Sequence, residues 1–274
     1  MLKRIVAGSI LIVILITALA LGGWWFTVPF MICVSLSAHE VFRALQNAGR
    51  RPVQWPAWVC MAAGIPVMVL EIGQNGALLA LIAGACMLTV IHIIFRREPS
   101  FEDALYSLIP TFFVALPAFC MLGLLRTADR PMRLMLLIAS FGIPLMGDTF
   151  AYFIGVMYGH TKLCETISPK KTVEGAAAGL FGSILFSVVL YLIFRNQTPS
   201  VMLWHALVLG LLAGIAGQTG DLFASMIKRK CGIKDFSNLI PGHGGMMDRL
   251  DSVYWSTVVV YICFSLLLRG TGAL

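Results

Sequence analysis

Charged side chains are concentrated in residues 225–251, close to the C-terminus of an otherwise apolar chain. The stretch mixes cations and carboxylates, namely Lys228, Arg229, Lys230, Lys234, Arg249, Asp235, Asp248 and Asp251. Phosphoryl transfer uses this mixture, because a carboxylate-bound metal bridges phosphate oxygens while Lys and Arg neutralise the remaining charge. Oxygen ligands without sulfur suit magnesium better than zinc. The stretch therefore predicts magnesium-assisted chemistry on phosphates.

Two further carboxylates fall inside predicted helices. Asp148 lies within one apolar segment and Asp221 near the end of another. A charge in the hydrocarbon region of a membrane costs several kcal/mol unless it is partnered or hydrated, so such residues are functional candidates. A buried hydrogen bond to a neighbouring helix is the alternative. We predict Asp221 as a metal ligand and Asp148 as a further ligand or as a group supporting the ligands.

Helical spacing groups the candidates. Asp221, Ser225 and Lys228 stand at i, i+4 and i+7, on one face of a helix. Asp248 and Asp251 are three apart and share a face if the last helix begins near residue 247. The predicted metal ligands are therefore Asp221, Asp248 and Asp251. Together with Lys228 they form the predicted catalytic set.

Two loops are predicted to hold phosphates. In the PGHGG run, residues 241–245, glycines allow backbone N–H groups to approach an anion closely. The loop 159–175 carries lysines and hydroxyls just before a helix N-terminus, which favours anions. Ser168 or Thr172 would also suit as its N-cap, and the two roles are compatible. The predicted substrate-binding residues are Ser168, Lys170, Lys171, Thr172, Ser225, Arg229, Lys234, His243, Gly244, Gly245 and Arg249.

The elements that position these residues are predicted to be membrane-spanning helices. The 274 residues are 59% hydrophobic and 12% charged, with a mean hydropathy of +0.88, whereas soluble domains carry about 25% charged residues. We predict an all-α polytopic helical bundle. Its nine expected spans are 5–22, 24–42, 57–72, 77–95, 104–125, 133–157, 175–194, 201–226 and 252–268. Residues 1–130 would provide five N-terminal spans, and residues 131–274 the catalytic region with four spans and two cytoplasmic loops.

Lysine and arginine placement predicts a cytoplasmic N-terminus. With that orientation 15 of the 20 Lys and Arg residues lie on the inner side. Arg126, Arg130 and Arg133 then fall on the outer side, where this scheme does not explain them. The net charge of +7 needs no nucleic acid, because inner-loop cations beside anionic lipid account for most of it. The predicted location is the inner or plasma membrane, with the site facing the cytoplasm.

Two runs carry a resemblance to a known family. The pattern S-x-x-K-R-x-x-x-x-K-D beginning at Ser225, and P-G-H-G-G-x-x-D-R-x-D beginning at Pro241, resemble those of phosphatidate cytidylyltransferases, also called CDP-diacylglycerol synthases. The segments GDTFAYFIG at 147–155 and ISPKKTVEG at 167–175 resemble the same family. The resemblance is specific in the C-terminal half, whereas the N-terminal part matches only in consisting of apolar spans.

The resemblance implies an activity and its partners. CTP and phosphatidate would give CDP-diacylglycerol and pyrophosphate in phospholipid biosynthesis, with magnesium and a second, monovalent cation such as K⁺. By resemblance, Asp221, Asp248 and Asp251 would form the metal site, and Lys228 with its basic neighbours would contact phosphates. The oligomeric state stays open, with a homodimer among the options.

Two other functions are considered. A CTP-dependent lipid kinase acting on a polyprenol shares the nucleotide, metal and membrane requirements, but its alcohol acceptor needs a general base. A cation transporter with Asp148 and Asp221 as its ion site would leave the PGHGG turn and the basic cluster without a role. The predicted function is therefore cytidylyl transfer to phosphatidate, by a magnesium-dependent nucleotidyltransferase.

Overall fold

The computed structural model describes residues 13–19, 21–69, 74–239, 242 and 244–268, and it is built almost entirely of helices. The helices are α1 (Gly23–Asn47), α2 (Trp55–Val69), α3 (Gln74–Ile94), α4 (Phe101–Pro110), α5 (Leu116–Leu125), α6 (Arg130–Tyr158), α7 (Val173–Phe194), α8 (Leu203–Lys230) and α9 (Met247–Cys263). A π-helical turn (Thr111–Ala115) joins α4 to α5, and a second (Phe264–Leu268) follows α9. The predicted all-α membrane bundle is confirmed.

Seven helical segments in the described part of the chain are long and apolar enough to cross a membrane. They contain α1, α3, α4 with α5, α6, α7, α8 and α9. The predicted span 57–72 corresponds to α2, whose 15 described residues are shorter than the roughly 20 needed to cross. Most of the predicted span 5–22 lies outside the described residues, although residues 13–19 are helical. The count of nine spans stays a prediction.

The helices α6, α7 and α8 pack closely because glycines line their contacts. A Cβ atom on Gly147 would lie 2.6 Å from the Ser183 hydroxyl, and one on Gly179 would lie 2.9 Å from the Gly147 carbonyl oxygen. On α8, a Cβ atom on Gly214 would lie 2.7 Å from the Ser183 Cβ. Small residues permit such close approach of helix backbones in membranes. This packing brings the ends of α6, α7 and α8 together.

The helices α1, α5, α6 and α9 share one apolar core. Val34, Met121, Leu136 and Tyr254 belong to it and are almost completely buried. The Tyr254 hydroxyl donates a 3.0 Å hydrogen bond to Ser37 Oγ, which links the last described helix to α1. Burial of a tyrosine is favourable when its hydroxyl has such a partner. The first and last helices are therefore fixed to each other.

A two-stranded antiparallel hairpin, which the sequence analysis did not predict, occupies the loop between α6 and α7. Its strands are β1 (Lys162–Cys164) and β2 (Ser168–Thr172). The Glu174 carboxylate accepts hydrogen bonds of 3.1–3.2 Å from the backbone N–H groups of His160 and Thr161. These bonds close the base of the hairpin against the first turn of α7.

Segments predicted to lie on the inner side come together at one end of the bundle. Arg50, after α1, forms a 2.6 Å ion pair with Glu102 at the start of α4. Arg96, after α3, lies 3.7 Å from Asp103. Arg50 also interacts electrostatically with Cys231, which follows α8. The basic loops after α1, α3 and α8 therefore share one surface of the molecule.

Candidate functional site

The end of α8 presents a polar face that the helical spacing predicted. Ser225 Oγ lies 3.5 Å from Asp221 Oδ1, one turn away. Lys228 follows on the same face and its side chain is only 10% exposed. Its ammonium group also lies 5.4 Å from the centre of the Phe236 ring, within range of a cation–π interaction. The predicted alignment of Asp221, Ser225 and Lys228 is confirmed.

Asp248 joins α8, α9 and the loop between them. Its Oδ1 lies 2.7 Å from Lys228 Nζ. Its Oδ2 accepts hydrogen bonds from the backbone N–H groups of Phe236 (2.8 Å) and Gly245 (2.9 Å). Because α9 begins at Met247, this carboxylate sits in the first helical turn, where the helix dipole favours a negative charge. Its side chain is 3% exposed, and both oxygens are occupied.

Gly244 is required for this fold of the loop. Its φ angle of +82° lies in the left-handed region that side-chain-bearing residues rarely adopt. A Cβ atom added there would also lie 3.0 Å from Asp248 Oδ2. The glycine thus lets the loop backbone fold against the carboxylate.

The hairpin brings its lysines to α8. Lys171, on β2, places Nζ 2.6 Å from Asp221 Oδ2. Thr172 caps α7, since its Oγ1 accepts a 3.1 Å hydrogen bond from the N–H of Gly175. Of the two caps considered from the sequence, the structure therefore uses Thr172. The cap fixes where the hairpin ends and thus where Lys171 points.

A second contact holds the two loops together. Arg229, one residue after Lys228, donates from Nε to the Ile167 carbonyl (3.3 Å) and from Nη1 to the Ile233 carbonyl (3.1 Å). The guanidinium thus spans the hairpin and the loop after α8. The two loops that were predicted to hold phosphates are therefore linked through Arg229, and the Lys171–Asp221 ion pair joins the hairpin to α8.

Three carboxylates interact electrostatically beside these pairs. Asp221 interacts electrostatically with both Asp148 and Asp251, and Asp148 interacts with Asp251. Arg249 and Ser252 lie near Asp148. Asp251 is buried and accepts a 2.8 Å hydrogen bond from the N–H of Ser252. Like charges in proximity repel unless a cation compensates them. Lys171 and Arg249 compensate the charge on Asp148, and Lys228 compensates the charge on Asp251.

The carboxylates Asp148, Asp221 and Asp251 have the ligand chemistry that magnesium requires, but they do not form a complete metal site. Among the described residues, no three His, Cys, Asp or Glu side chains are close enough to hold a metal ion by themselves. Magnesium usually takes one or two protein carboxylates and keeps water and substrate phosphates as its other ligands. Asp221 and its acidic neighbours fit that requirement, since the donors are all oxygen. Asp248 would have to release Lys228 or a backbone N–H first, so its predicted ligation stays a prediction.

The remaining predicted substrate-binding residues differ in their exposure. The exposed cations are Lys170, Arg229, Lys234 and Arg249. Ser168 and Gly244 are partly buried, whereas Thr172, Ser225 and Gly245 are buried. His243 lies outside the described residues.

The sequence analysis missed Glu40. This residue of α1 is 5% exposed and accepts hydrogen bonds from the loop before α9. The available signal was an acidic residue inside a predicted apolar span, the same criterion that singled out Asp148. Its partners follow it by about 200 positions in the sequence, and no local pattern indicates them.

Comparisons with known proteins identify the family of the chain. The model of the "Cytidylyltransferase family" matches residues 2–267. A protein named phosphatidate cytidylyltransferase from Synechocystis is 32% identical, covering 97% of each chain. One of the same name from Mycobacterium bovis is 30% identical over 96% of this chain and 88% of its own.

A plant relative is longer than this chain. The chloroplastic phosphatidate cytidylyltransferase 5 of Arabidopsis thaliana is 31% identical over 88% of this chain. The chain spans 66% of the length of that relative. Because the family model covers nearly every residue, including both loops of the site, the chain belongs to the cytidylyltransferase family.

Proposed function

We propose that the chain is a phosphatidate cytidylyltransferase, which transfers the cytidylyl group of CTP to phosphatidate and releases pyrophosphate. The observation that carries the proposal is the junction of both loops through Lys171–Asp221 and Lys228–Asp248 at the end of α8. The curated relatives with this printed name support the choice of substrates. A membrane-embedded bundle suits an acceptor whose acyl chains stay in the bilayer.

The reaction is a substitution at the α-phosphorus of CTP. A phosphate oxygen of phosphatidate forms the new P–O bond, and the bond to pyrophosphate breaks. The lipid phosphate is ionised near neutral pH, so no strong general base is needed. The difficulty is electrostatic, because two polyanions must meet, and the protein's cations supply the compensation.

Lys228 is the best-positioned cation for this task. The Asp248 carboxylate and the Phe236 ring hold its ammonium in place before any substrate arrives. An ammonium has three donors, and Asp248 accepts from one of them, which leaves donors for a phosphate. Preorganised charge of this kind stabilises a transition state without reorganisation at the moment of reaction. The exposed cations Arg229, Lys234 and Arg249 would hold the rest of the triphosphate and the lipid head group.

Magnesium belongs to the proposal as the cofactor. Asp221, with Asp251 and Asp148 beside it, would hold the ion, and a second, monovalent cation would occupy the same acidic region. An ion held by these carboxylates would supply positive charge and Lewis acidity to the reacting phosphates. Without substrate, the Lys171 ammonium provides the positive charge next to Asp221.

Lys171 and a divalent ion should therefore compete for Asp221. Substituting Lys171→Met should tighten Mn²⁺ binding in the absence of nucleotide, whereas Asp221→Asn should weaken it about tenfold or more. Electron paramagnetic resonance of free Mn²⁺, titrated with protein in detergent, measures both affinities. Lys170→Met is the matched control, since Lys170 is the adjacent exposed lysine. Unchanged affinity in Asp221→Asn would remove this residue from the metal site.

A labelling experiment tests the function. Purified protein with magnesium and phosphatidate should incorporate label from [α-³²P]CTP into CDP-diacylglycerol and should release unlabelled pyrophosphate. A lipid kinase would instead transfer only the γ-phosphate to a lipid alcohol. Transfer of γ-label to a polyprenol, with no cytidylyl transfer to phosphatidate, would overturn the proposal.

The site is proposed to face the cytoplasm, where CTP is available. The basic loops that gather at the same end of the bundle support this orientation, because inner loops are enriched in Lys and Arg. The reacting phosphorus would then lie at the cytoplasmic surface of the cell membrane.

A further inference from the structure

Glu40 is a buried carboxylate of α1 that the proposed reaction does not use. Its Oε1 accepts hydrogen bonds from Ser237 Oγ (2.6 Å) and from the N–H of Met246 (3.0 Å). Its Oε2 accepts from the N–H of Met247 (2.8 Å). All three donors belong to the loop that connects α8 with α9 or to the first residue of α9. One side chain of the N-terminal region thus holds the loop of the site.

The contact caps α9 from another helix. Met246 is the N-cap of α9 and has no capping side chain of its own. The first N–H groups of a helix lack intrahelical partners, and a negative charge there is favoured by the helix dipole. Among the described residues, no lysine or arginine forms an ion pair with Glu40. The backbone N–H groups and the Ser237 hydroxyl therefore take the place of a cation.

Glu40 and Asp248 both hold the loop between α8 and α9. Asp248 binds the N–H groups of Phe236 and Gly245, while Glu40 binds the neighbouring Ser237 and Met246. Each carboxylate therefore binds one residue at the beginning of the loop and one residue at its end. A Cβ atom at Gly245 would collide with the Glu40 carboxylate, so this glycine makes the approach possible. Asp248 in turn positions Lys228.

We propose that Glu40 is a positioning residue of the active site, which holds the described ends of the α8–α9 loop, residues 236–239 and 244–247, in the arrangement that receives the phosphates of CTP. The proposal rests on the proposed function for the identity of the nucleotide. It extends the functional centre to α1, which the division at residue 130 had assigned to a separate N-terminal region. Misplacement of catalytic groups by about 1 Å costs on the order of 10²-fold in rate, so the loss of this support should be measurable.

The test compares Glu40→Gln with a control at the same helix contact. The glutamine fills the same space, but its NH₂ group must face a backbone donor, so at least one of the three hydrogen bonds is lost. The control is Tyr254→Phe, which removes the buried bond to Ser37 between α1 and α9 without touching the loop. Each protein is purified in detergent, and the kcat/KM for CTP and the apparent Tm are measured. The rate of tryptic cleavage after Lys234 is followed as well.

Glu40→Gln should lower kcat/KM for CTP about 10²-fold. Trypsin should cleave after Lys234 faster than in the wild-type protein, and CTP, which we expect to slow this cleavage in the wild-type protein, should no longer slow it. Tyr254→Phe should reduce the Tm while kcat/KM and the cleavage rate stay at wild-type values. Ser237→Ala, which removes one of the three bonds, should give a smaller loss than Glu40→Gln. A purely structural role would reduce the Tm of Glu40→Gln and leave its kcat/KM and cleavage rate unchanged, which would overturn the proposal.

The experiments distinguish failure of the proposed function from failure of the positioning role of Glu40. The wild-type protein would then form no CDP-diacylglycerol from CTP and phosphatidate. The tryptic rate without nucleotide still tests the positioning role in that case, because it reports the order of the loop directly. Faster cleavage in Glu40→Gln than in Tyr254→Phe supports the role, and equal rates refute it.

Discussion

At the scale of single residues, the site is a set of carboxylates with internal counter-ions. Lys228 faces Asp248 and Lys171 faces Asp221, with N–O distances of 2.7 and 2.6 Å. The first pair is nearly buried, whereas about a quarter of each side chain in the second is exposed. Burial makes the first pair costly to break, and exposure makes the second easy to exchange. We therefore expect the Lys228–Asp248 pair to stay formed and the Lys171–Asp221 pair to exchange partners.

The buried pair gives a prediction that separates stability from catalysis. Lys228→Met leaves Asp248 charged and buried without its cation, which costs about 3–5 kcal/mol and lowers the apparent Tm. Turnover should fall about 10²–10³-fold, because a preorganised cation is lost. The double variant Lys228→Met with Asp248→Asn should regain most of the Tm, since the unpaired charge is gone, but not the activity.

Thermal unfolding in detergent and CDP-diacylglycerol formation measure these two effects. Restored turnover in the double variant would contradict the assignment of Lys228 to phosphate binding. An unchanged Tm in the single variant would show that Asp248 does not depend on the lysine.

At the scale of elements, glycines set the positions of the two loops. A Cβ atom on Gly175, in the first turn of α7, would lie 2.7 Å from the carbonyl oxygen of Ala151 on α6. A backbone carbonyl within a helix cannot move aside cheaply. The start of α7, and with it the hairpin that carries Lys171, therefore depends on a residue without a side chain.

Substitution Gly175→Ala should push α7 away from α6 and draw Lys171 away from Asp221. We expect a lower apparent Tm and a reduced rate of cytidylyl transfer. The matched control is Gly84→Ala on α3, where an added Cβ atom meets no other atom within 4 Å. That change should leave the rate unaltered and preserve or raise the Tm, since alanine is favoured over glycine in a helix by up to about 1 kcal/mol. Equal behaviour of the two variants would contradict the packing argument.

Local periodicity predicted the parts of the site that lie on one element. The face of Asp221, Ser225 and Lys228 and the start of α9 near residue 247 follow from helical spacing, which depends only on neighbouring residues. The hairpin was not predicted, because its strands are short and polar and Glu174 fixes them through backbone bonds. The partners of Glu40 depend on how separate helices pack. A single sequence holds no signal for such pairs beyond the cost of burying a charge.

At the scale of the whole molecule, the basic loops and the site share one end of the bundle. The helix α7 begins at this end with Thr172 and leads to Arg195 at the opposite end. The helix α8 runs in the opposite direction, from Leu203 back to the end of the bundle that carries the site, so that its last residue, Lys230, lies beside the site. Both Lys230 and Arg195 are exposed and therefore available as reporters of the two surfaces.

Their sidedness can be measured with single cysteines. In a background with all seven native cysteines replaced by serine or alanine, a membrane-impermeant maleimide should label Lys230→Cys only in inverted vesicles. It should label Arg195→Cys only in right-side-out vesicles, because the positive-inside rule places the basic end in the cytoplasm. Detergent-opened vesicles serve as the control for reactivity. Labelling of Lys230→Cys from the outside would reverse the proposed orientation.

The link from Glu40 to α9 has a consequence for biosynthesis. Glu40 and Met247 are 207 residues apart, and nearly the whole bundle must be synthesised between them. Until the start of α9 is in place, Glu40 lacks the N–H donors of Met246 and Met247, and the α8–α9 loop lacks Asp248. With the proposed role of Glu40, competence for catalysis would arrive late, with the insertion of α9. A partly inserted chain that already carries Asp221 and Lys228 would not yet hold the loop that is proposed to receive the nucleotide.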